Sequence, residues 1–294
     1  ADVATELGCD ALAVLVCSTG IIGVPLPLDK ITAGIPAAVH ARKSSADAVR
    51  AAATAMMTTD TFAKQVSIDV ELSSGTIRIA GAAKGAAMIA PNMATMLGVV
   101  MTDARLSAVQ CDELLRFGVD RTFNCISVDG HMSTSDTVLL FANGATDITP
   151  VTKDDDTRLR EAVQRVCEML ATSIIRDAEG ADHFIMVDVD GFETRAAAFR
   201  VAKEVAESAL VKTAIAGNDP NWGRIVSAVG YSRARIDPAL LSCRIAGTWV
   251  FRKGRPCRFN AAVLSRKMKA KSWTVAVDLG LGRFEDFCDT CDMS

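Results

Sequence analysis

Short apolar runs alternate with amphipathic stretches along this chain, a pattern that predicts strands interleaved with helices. The clearest helical spacing follows the acidic start Asp154 to Asp156, which suits the positive end of a helix dipole. Its apolar positions are Leu159, Ala162, Val163, Val166, Met169, Leu170 and Ile174. Further helices are predicted at 45–56, 107–121, 194–209 and 260–269.

The apolar run 11–17 ends in Ser18-Thr19-Gly20, which predicts a buried strand entering a loop. Other strands are predicted at 65–72, 76–80, 137–142, 184–189 and 273–279. Strands and helices alternate without an even repeat or a low-complexity linker, so we expect a mixed α/β class.

Composition narrows the class of protein. The chain has 294 residues, half of them apolar, which is enough to bury a core without metals or staples. The most apolar long stretch, 85–101, is interrupted by Pro91-Asn92, so no membrane span is predicted. A net charge of -3 gives no global field for nucleic acid or an anionic membrane. We expect the basic cluster 252–271 to be a solvated face.

Nine cysteines are scattered through the chain, an odd number that predicts reduced thiols in a reducing compartment. We therefore expect a cytoplasmic protein, or a mitochondrial matrix protein in a eukaryote. Cys288-x-x-Cys291 is half of a zinc motif without a second close pair, so no metal is predicted. The first residues are typical of a helix interior, which suggests that the chain begins inside a longer protein.

Candidate chemistry lies in three segments rich in small residues and hydroxyls, 18–23, 84–97 and 217–224. None matches a phosphate loop or a dinucleotide fingerprint. With three histidines the chain offers few bases for a catalytic triad. A threonine freed at a cut peptide bond would supply its own base, since an α-amine has a pKa of about 7.7 to 8.0.

A series of ordered motifs spans the chain and resembles the ornithine acetyltransferase (glutamate N-acetyltransferase) family. Before residue 105 they are Ser18-Thr19-Gly20-Ile21-Ile22-Gly23, Met57-Thr58-Thr59-Asp60-Thr61, Ala83-Lys84-Gly85, Pro91-Asn92-Met93-Ala94-Thr95-Met96-Leu97 and Thr102-Asp103-Ala104. After it they are Phe123 to Gly130, Ser133-Thr134-Ser135-Asp136-Thr137, Glu179-Gly180-Ala181, Leu210 to Ala214 and Asp219 to Arg224.

The resemblance implies a precursor that cleaves itself between Ala94 and Thr95. Residues 1–94 would be the C-terminal part of an α chain and 95–294 a β chain, with a smaller lobe at roughly 225–294. The two chains would stay interlocked in an ornithine acetyltransferase or DmpA-like fold, with mixed sheets layered with helices, and the αβ units would form homo-oligomers.

The resemblance also implies a ping-pong acyltransferase that moves an acetyl group from N2-acetylornithine to glutamate. Thr95 would be the nucleophile, and Thr19 with the Gly20 N–H would form the oxyanion hole. Thr61, Lys84, Thr95 and Glu179 match positions that bind substrate. No cofactor, nucleic acid or membrane partner is implied, and acetyl-CoA stays open as a second acetyl donor.

Several positions depart from the family pattern, and two alternatives follow. His131-Met132, Asp182-His183 and Ala216-Gly217 replace residues usual in the family. The chain begins inside the α chain and stops at Ser294, before the family's short tail, so we expect truncation at both ends. One alternative is an N-terminal-nucleophile aminopeptidase or amidase. The other is a truncated, inactive homologue that acts only as a binding protein.

Overall fold

The computed structural model describes residues 1–90 and 96–292. The helices are α1 Asp2–Leu7, α2 Leu28–His40, α3 Ala46–Met56, α4 Ala108–Val119, α5 Lys153–Arg176, α6 Arg195–Glu207, α7 Ala209–Ala216, α8 Trp222–Tyr231 and α9 Ala261–Met268, with 3-10 turns at Ala11–Ala13 and Phe123–Cys125. The strands are β1 Lys64–Leu72, β2 Gly75–Lys84, β3 Leu97–Thr102, β4 Ile126–Ser127, β5 Thr137–Ala142, β6 Phe184–Phe192, β7 Ser242–Ile245, β8 Thr248–Arg252, β9 Arg255–Pro256, β10 Ser272–Asp278 and β11 Phe284–Cys291.

Side-chain caps set the first residue of the predicted helices. Ser45, Ser107, Thr194 and Asn260 each accept a hydrogen bond from the backbone N–H three residues later, at the start of α3, α4, α6 and α9. Such a bond satisfies one of the donors that a helix start leaves unpaired. The helices predicted at 45–56, 107–121, 194–209 and 260–269 are therefore confirmed to within two residues at each end.

A four-stranded sheet forms the first layer, in the order β1-β2-β3-β5. Neighbours are antiparallel except β3 and β5, which run parallel. The amphipathic face of α5 packs on β1 and β2 and buries Leu159, Val166 and Leu170 against them. A Cβ at Gly81 would lie 2.9 Å from Leu170 Cδ1, so the close approach of α5 to β2 requires glycine there.

The N-terminus of α5 is fixed by Asp155. Its side chain accepts from the Ser73 N–H at 2.7 Å and from the Ser73 hydroxyl at 2.6 Å, and Thr152 completes a capping box. These hydrogen bonds, with the Ser73 hydroxyl first, hold the pKa of Asp155 well below its usual range. The carboxylate therefore ties the β1–β2 turn to the helix in its charged form.

Asp155→Ala should lower the melting temperature by roughly 3 to 8 °C at pH 7, because the cap and the link to Ser73 are both lost. A carboxyl group whose pKa is lower in the folded protein than in the unfolded chain stabilises the fold at pH values above its unfolded-state pKa. This stabilisation is lost as the pH falls toward the folded-state pKa. The difference between wild type and variant should therefore shrink below pH 4. Thermal melts across that range measure it. Asp156→Ala, an exposed aspartate in the same helical turn, should melt within about 2 °C of wild type.

A seven-stranded mixed sheet forms the second layer, in the order β4-β11-β6-β10-β7-β8-β9. One face is buried under helices, and α6 and α8 contribute Val201, Val205 and Val229 to its core. The strands within 225–294 share this sheet with β6 and β4, which precede them in the chain. The boundaries at 94/95 and near 225 stay predictions.

Strand β11 joins the two layers. It pairs antiparallel with β6 and parallel with β4, and it also contacts α5. Cys288 belongs to the core of the seven-stranded sheet, whereas Cys291 lies in the core of the four-stranded sheet. The mixed α/β class is confirmed.

The strand predicted at 11–17 is wrong. Residues 11–13 form a 3-10 turn capped by Asp10, and 14–20 have no regular structure. Val16 is 81 % exposed, because none of the strands in the described residues pairs with this run. An apolar run gives a strand only where a neighbouring backbone accepts its hydrogen bonds.

None of the helices in the described residues, 1–90 and 96–292, has the length and hydropathy of a membrane span.

Candidate active site

Lys84, the last residue of β2, is at the centre of a buried polar site. Its side chain is 3 % exposed, and the chain turns immediately after it at Gly85. Gly85 has a φ of 149°, a conformation that favours glycine, and its N–H donates to Asp60 Oδ1 at 2.6 Å. The turn that positions Lys84 is therefore anchored by a carboxylate from another segment.

Three buried charges lie beside this turn and are called the Lys64 cluster here: Lys64, Asp60 and Asp177. Lys64 Nζ lies 2.6 Å from Asp60 Oδ1 and 2.5 Å from Asp177 Oδ2. Asp177 also accepts from the Thr61 N–H at 3.0 Å and from the Thr61 hydroxyl. The cluster therefore connects Thr61, which is itself exposed, to the Lys84 turn.

Burial and hydrogen bonding act in opposite directions on these charges. Burial raises the pKa of Asp60, but the hydrogen bonds from the Gly85 N–H and Lys64 outweigh it, so its pKa is lowered overall. Burial lowers the pKa of Lys84, and the charges of Asp60, Asp136 and Glu179 partly oppose that shift. Lys84 therefore lies in the electrostatic field of carboxylates from three segments of the chain.

Both flanks of segment 91–95 are anchored by carboxylates. Asp136 Oδ1 accepts from the Met96 N–H at 2.7 Å. On the other flank, Asp129 accepts from Met88 N–H at 2.6 Å and from Ile89 N–H at 3.1 Å. Ala94 and Thr95, the predicted cleavage site and nucleophile, lie outside the described residues.

Asp136 is 6 % exposed and lies within the electrostatic reach of Lys84. Burial raises its pKa to about 6, although the N–H groups of Met96 and Ser133 and the Lys84 charge oppose the shift. A raised carboxyl pKa next to a buried lysine is typical of functional sites.

Thr19 and Gly20 line a cleft of about 440 Å³. Its opposite wall is Met88 and the segment 132–135, which leads directly into Asp136. The two predicted oxyanion-hole residues thus share a cleft with the segment that immediately precedes Asp136. None of the hydrogen bonds described for residues 1–90 and 96–292 joins Thr19 or Gly20 to the Lys84 site.

Glu179 follows the C-terminal end of α5 and contributes to the field at Lys84. Its N–H donates to the Ala86 carbonyl at 2.9 Å, and its side chain is exposed. The structure therefore brings together three of the predicted substrate residues, Thr61, Lys84 and Glu179. Within 1–90 and 96–292 no group of three or more His, Cys, Asp or Glu is placed to hold a metal ion.

Sequence reasoning missed the residues that organise this site. Asp60 and Asp136 stand within the motifs that carry the resemblance, yet neither was given a role. Lys64 and Asp177 lie in no motif and are 113 residues apart in the chain. The one local signal was a lysine four residues after an aspartate, a spacing that also occurs on many protein surfaces.

Comparison with known proteins identifies the family. The family model described as "ArgJ family" matches residues 1–294. The chain belongs to the ArgJ family. The "Arginine biosynthesis bifunctional protein ArgJ" of Rhodopirellula baltica is 47% identical over 285 residues, which cover 96% of this chain and 69% of that protein. The protein of the same name from Parasynechococcus marenigrum is 42% identical, over 99% of this chain and 70% of that protein.

A solved structure agrees with this ArgJ family assignment. The crystal structure of the arginine biosynthesis bifunctional protein from Bacillus halodurans is 34% identical, with a TM-score of 0.64. The match covers 67% of this chain and 93% of that chain. The predicted fold family and the prediction of an enzyme of arginine biosynthesis are therefore confirmed.

Proposed function

We propose that this chain transfers an acetyl group from N2-acetylornithine to glutamate through an acetyl ester on Thr95. The observation that carries the proposal is the convergence of Thr61, Lys84 and Glu179 beside anchored Met96, the residue that follows Thr95. Family membership over the whole chain supports the same conclusion and does not favour the amidase or the inactive homologue.

The first step is cleavage of the precursor. The Thr95 hydroxyl attacks the Ala94 carbonyl, and the peptide bond rearranges to an ester with release of the Thr95 amine. Water then hydrolyses the ester, which leaves a carboxylate on Ala94 and restores the hydroxyl of an N-terminal threonine. The proposal that both chains stay together is supported by topology, because β2 precedes the cut, β3 follows it, and the two strands are hydrogen-bonded neighbours. The cut would therefore fall between two paired strands of one sheet.

Acetyl transfer uses the same hydroxyl. Thr95 Oγ attacks the acetyl carbon while the free α-amine accepts its proton, and that proton leaves with the ornithine amine. The amine of glutamate then attacks the ester and restores Thr95. Thr19 and the Gly20 N–H would stabilise the oxyanion in both steps, where one donor contributes roughly 3 to 4 kcal/mol.

Substrate recognition is assigned to the buried lysine and its neighbours. The Lys84 ammonium would bind a substrate carboxylate, and Glu179 would pair with an amino group of ornithine. The Thr61 hydroxyl donates its proton to Asp177, so its oxygen would accept a hydrogen bond from a substrate N–H. The chemistry needs no cofactor, and acetyl-CoA stands as a second candidate donor. We propose homo-oligomers of αβ units, in a compartment that keeps the nine free cysteines reduced.

The test is a comparison of acetyl transfer with acetate release. Incubated with N2-acetylornithine, the protein should form N-acetylglutamate and ornithine in equal amounts when glutamate is present. Without glutamate, ornithine release should slow by roughly a hundredfold or more after one turnover, because only water can open the ester. Acetate release at the same rate with and without glutamate would instead identify a hydrolase.

A further inference from the structure

The Asp60 side chain joins three segments of the site. Its Oδ1 accepts from Lys64 Nζ and from the Gly85 N–H, each at 2.6 Å. Its Oδ2 accepts from the Thr58 N–H at 3.1 Å. One carboxylate thereby links the loop before β1, the first residue of β1 and the turn that follows Lys84.

The same connection continues to Thr61 through Lys64. Lys64 Nζ lies 2.5 Å from Asp177 Oδ2, and Asp177 accepts from both the N–H and the hydroxyl of Thr61. Thr61 and the Lys84 turn are therefore the two ends of one chain of charge-assisted hydrogen bonds. Such bonds are shorter and stronger than neutral ones, so they fix the spacing of the groups at either end.

The cluster is buried but not electrically neutral by itself. Asp60, Lys64 and Asp177 are each at most 8 % exposed, and two carboxylates surround one ammonium. Lys84 supplies a second positive charge next to them. The charges that face Lys84 are those of Asp60, Asp136 and Glu179, which favour its cationic form, and that of Lys64, which opposes it.

We propose that Asp60 is a positioning residue of the acetyl-transfer reaction, which holds the Lys84–Gly85 turn in register with Thr61 so that both side chains meet the same substrate molecule. The inference rests on the proposed function, because it takes Lys84 and Thr61 as the groups that bind substrate. It adds that their spacing and the charge of Lys84 are set by a carboxylate that touches no substrate.

The competing explanation is that Asp60 only stabilises the fold. The two roles differ in their effect on Lys84. If Asp60 supplies part of the field at Lys84, its removal must lower the pKa of Lys84, whereas removal of Lys64 must raise that pKa. If Asp60 and Lys64 only stabilised the fold, their substitutions would not shift the pKa of Lys84 in opposite directions.

The test compares Asp60→Asn, Lys64→Gln and the control Asp69→Asn. Asp60→Asn keeps the side-chain volume and the Lys64–Asp177 pair, so it should fold, as circular dichroism would verify. Asp69 lies on β1, the strand that begins at Lys64, but its ion pair with Arg78 is exposed. We expect Asp60→Asn to raise KM for N2-acetylornithine roughly tenfold with kcat changed less than about threefold, and Asp69→Asn to match wild type.

A second readout is independent of acetyl transfer. The Cε resonance of Lys84, assigned by its loss in Lys84→Met, should titrate at lower pH than wild type in Asp60→Asn and at higher pH in Lys64→Gln. Unchanged titration in a folded Asp60→Asn would overturn the inference even if the wild type is fully active. Absence of acetyl transfer by the wild type would defeat the proposed function and leave this titration as the test of the positioning role.

Discussion

Thr95→Ala should leave the 294-residue chain as a single 31.1 kDa polypeptide, whereas the wild type should separate under denaturing conditions into fragments 1–94 and 95–294. Acetyl transfer should fall by roughly 10⁴-fold or more, because the variant lacks both the hydroxyl that forms the ester and the amine that cleavage releases. Intact mass spectrometry measures the cleavage, and the glutamate-dependent transfer assay measures the loss of activity.

We expect a cut at this peptide bond to be specific, because carboxylates anchor the described residues on both sides of it. The two flanks are held by Asp129 and Asp136, through hydrogen bonds to Met88, Ile89 and Met96. A fixed geometry of the reacting groups favours attack by a neighbouring hydroxyl on one particular carbonyl.

Thr95→Ser is the matched control for the self-cleavage prediction. It retains a hydroxyl and should still cleave, more slowly. A full-length mass for both Thr95→Ala and the wild type would contradict self-cleavage in this chain. Two fragments that form in Thr95→Ala as readily as in the wild type would instead show that another group cuts the chain.

Local sequence predicted those parts of the fold that local chemistry determines. The capped helices follow from hydroxyl and amide side chains just before an amphipathic run, such as Ser107 before α4. Strands β1, β5, β6 and β10 follow from their apolar runs. Helix α8 was missed, because Trp222-Gly223-Arg224 follows Asp219-Pro220-Asn221, which is typical of a loop.

The candidate site shows the same limit more sharply. Lys84, Thr61 and Glu179 could be named through the resemblance alone, because each stands within an ordered motif. Asp177 could not be named, because its neighbours in the sequence form no motif. It contacts Lys64 and Thr61 from the C-terminal end of a long helix. Pairings across more than a hundred residues depend on the sheet register and on where α5 ends, and neither can be read from a single sequence.

Lys64→Met should destabilise the fold by about 3 to 5 kcal/mol, because it leaves Asp60 and Asp177 buried without the ammonium that touches both. The desolvation cost of two carboxylates stays, while the attraction that offsets it is lost. Urea unfolding measures the difference. We would use the uncleaved Thr95→Ala background, so that dissociation of two chains does not complicate the transition.

Arg78→Met is the matched control, since it breaks a salt bridge of almost the same length in the same hairpin. The Arg78–Asp69 pair is 2.7 Å long, but its side chains are 62% and 53% exposed, so its loss should change the free energy of unfolding far less than Lys64→Met does. If Lys64→Met lowers the free energy of unfolding as little as Arg78→Met does, the Lys64 cluster does not contribute to stability as a buried ion pair should. The double variant Lys64→Met/Asp60→Asn separates the causes of a large loss of stability. If it is more stable than Lys64→Met alone, the loss is due to the unpaired carboxylates, because the second substitution removes one of those charges.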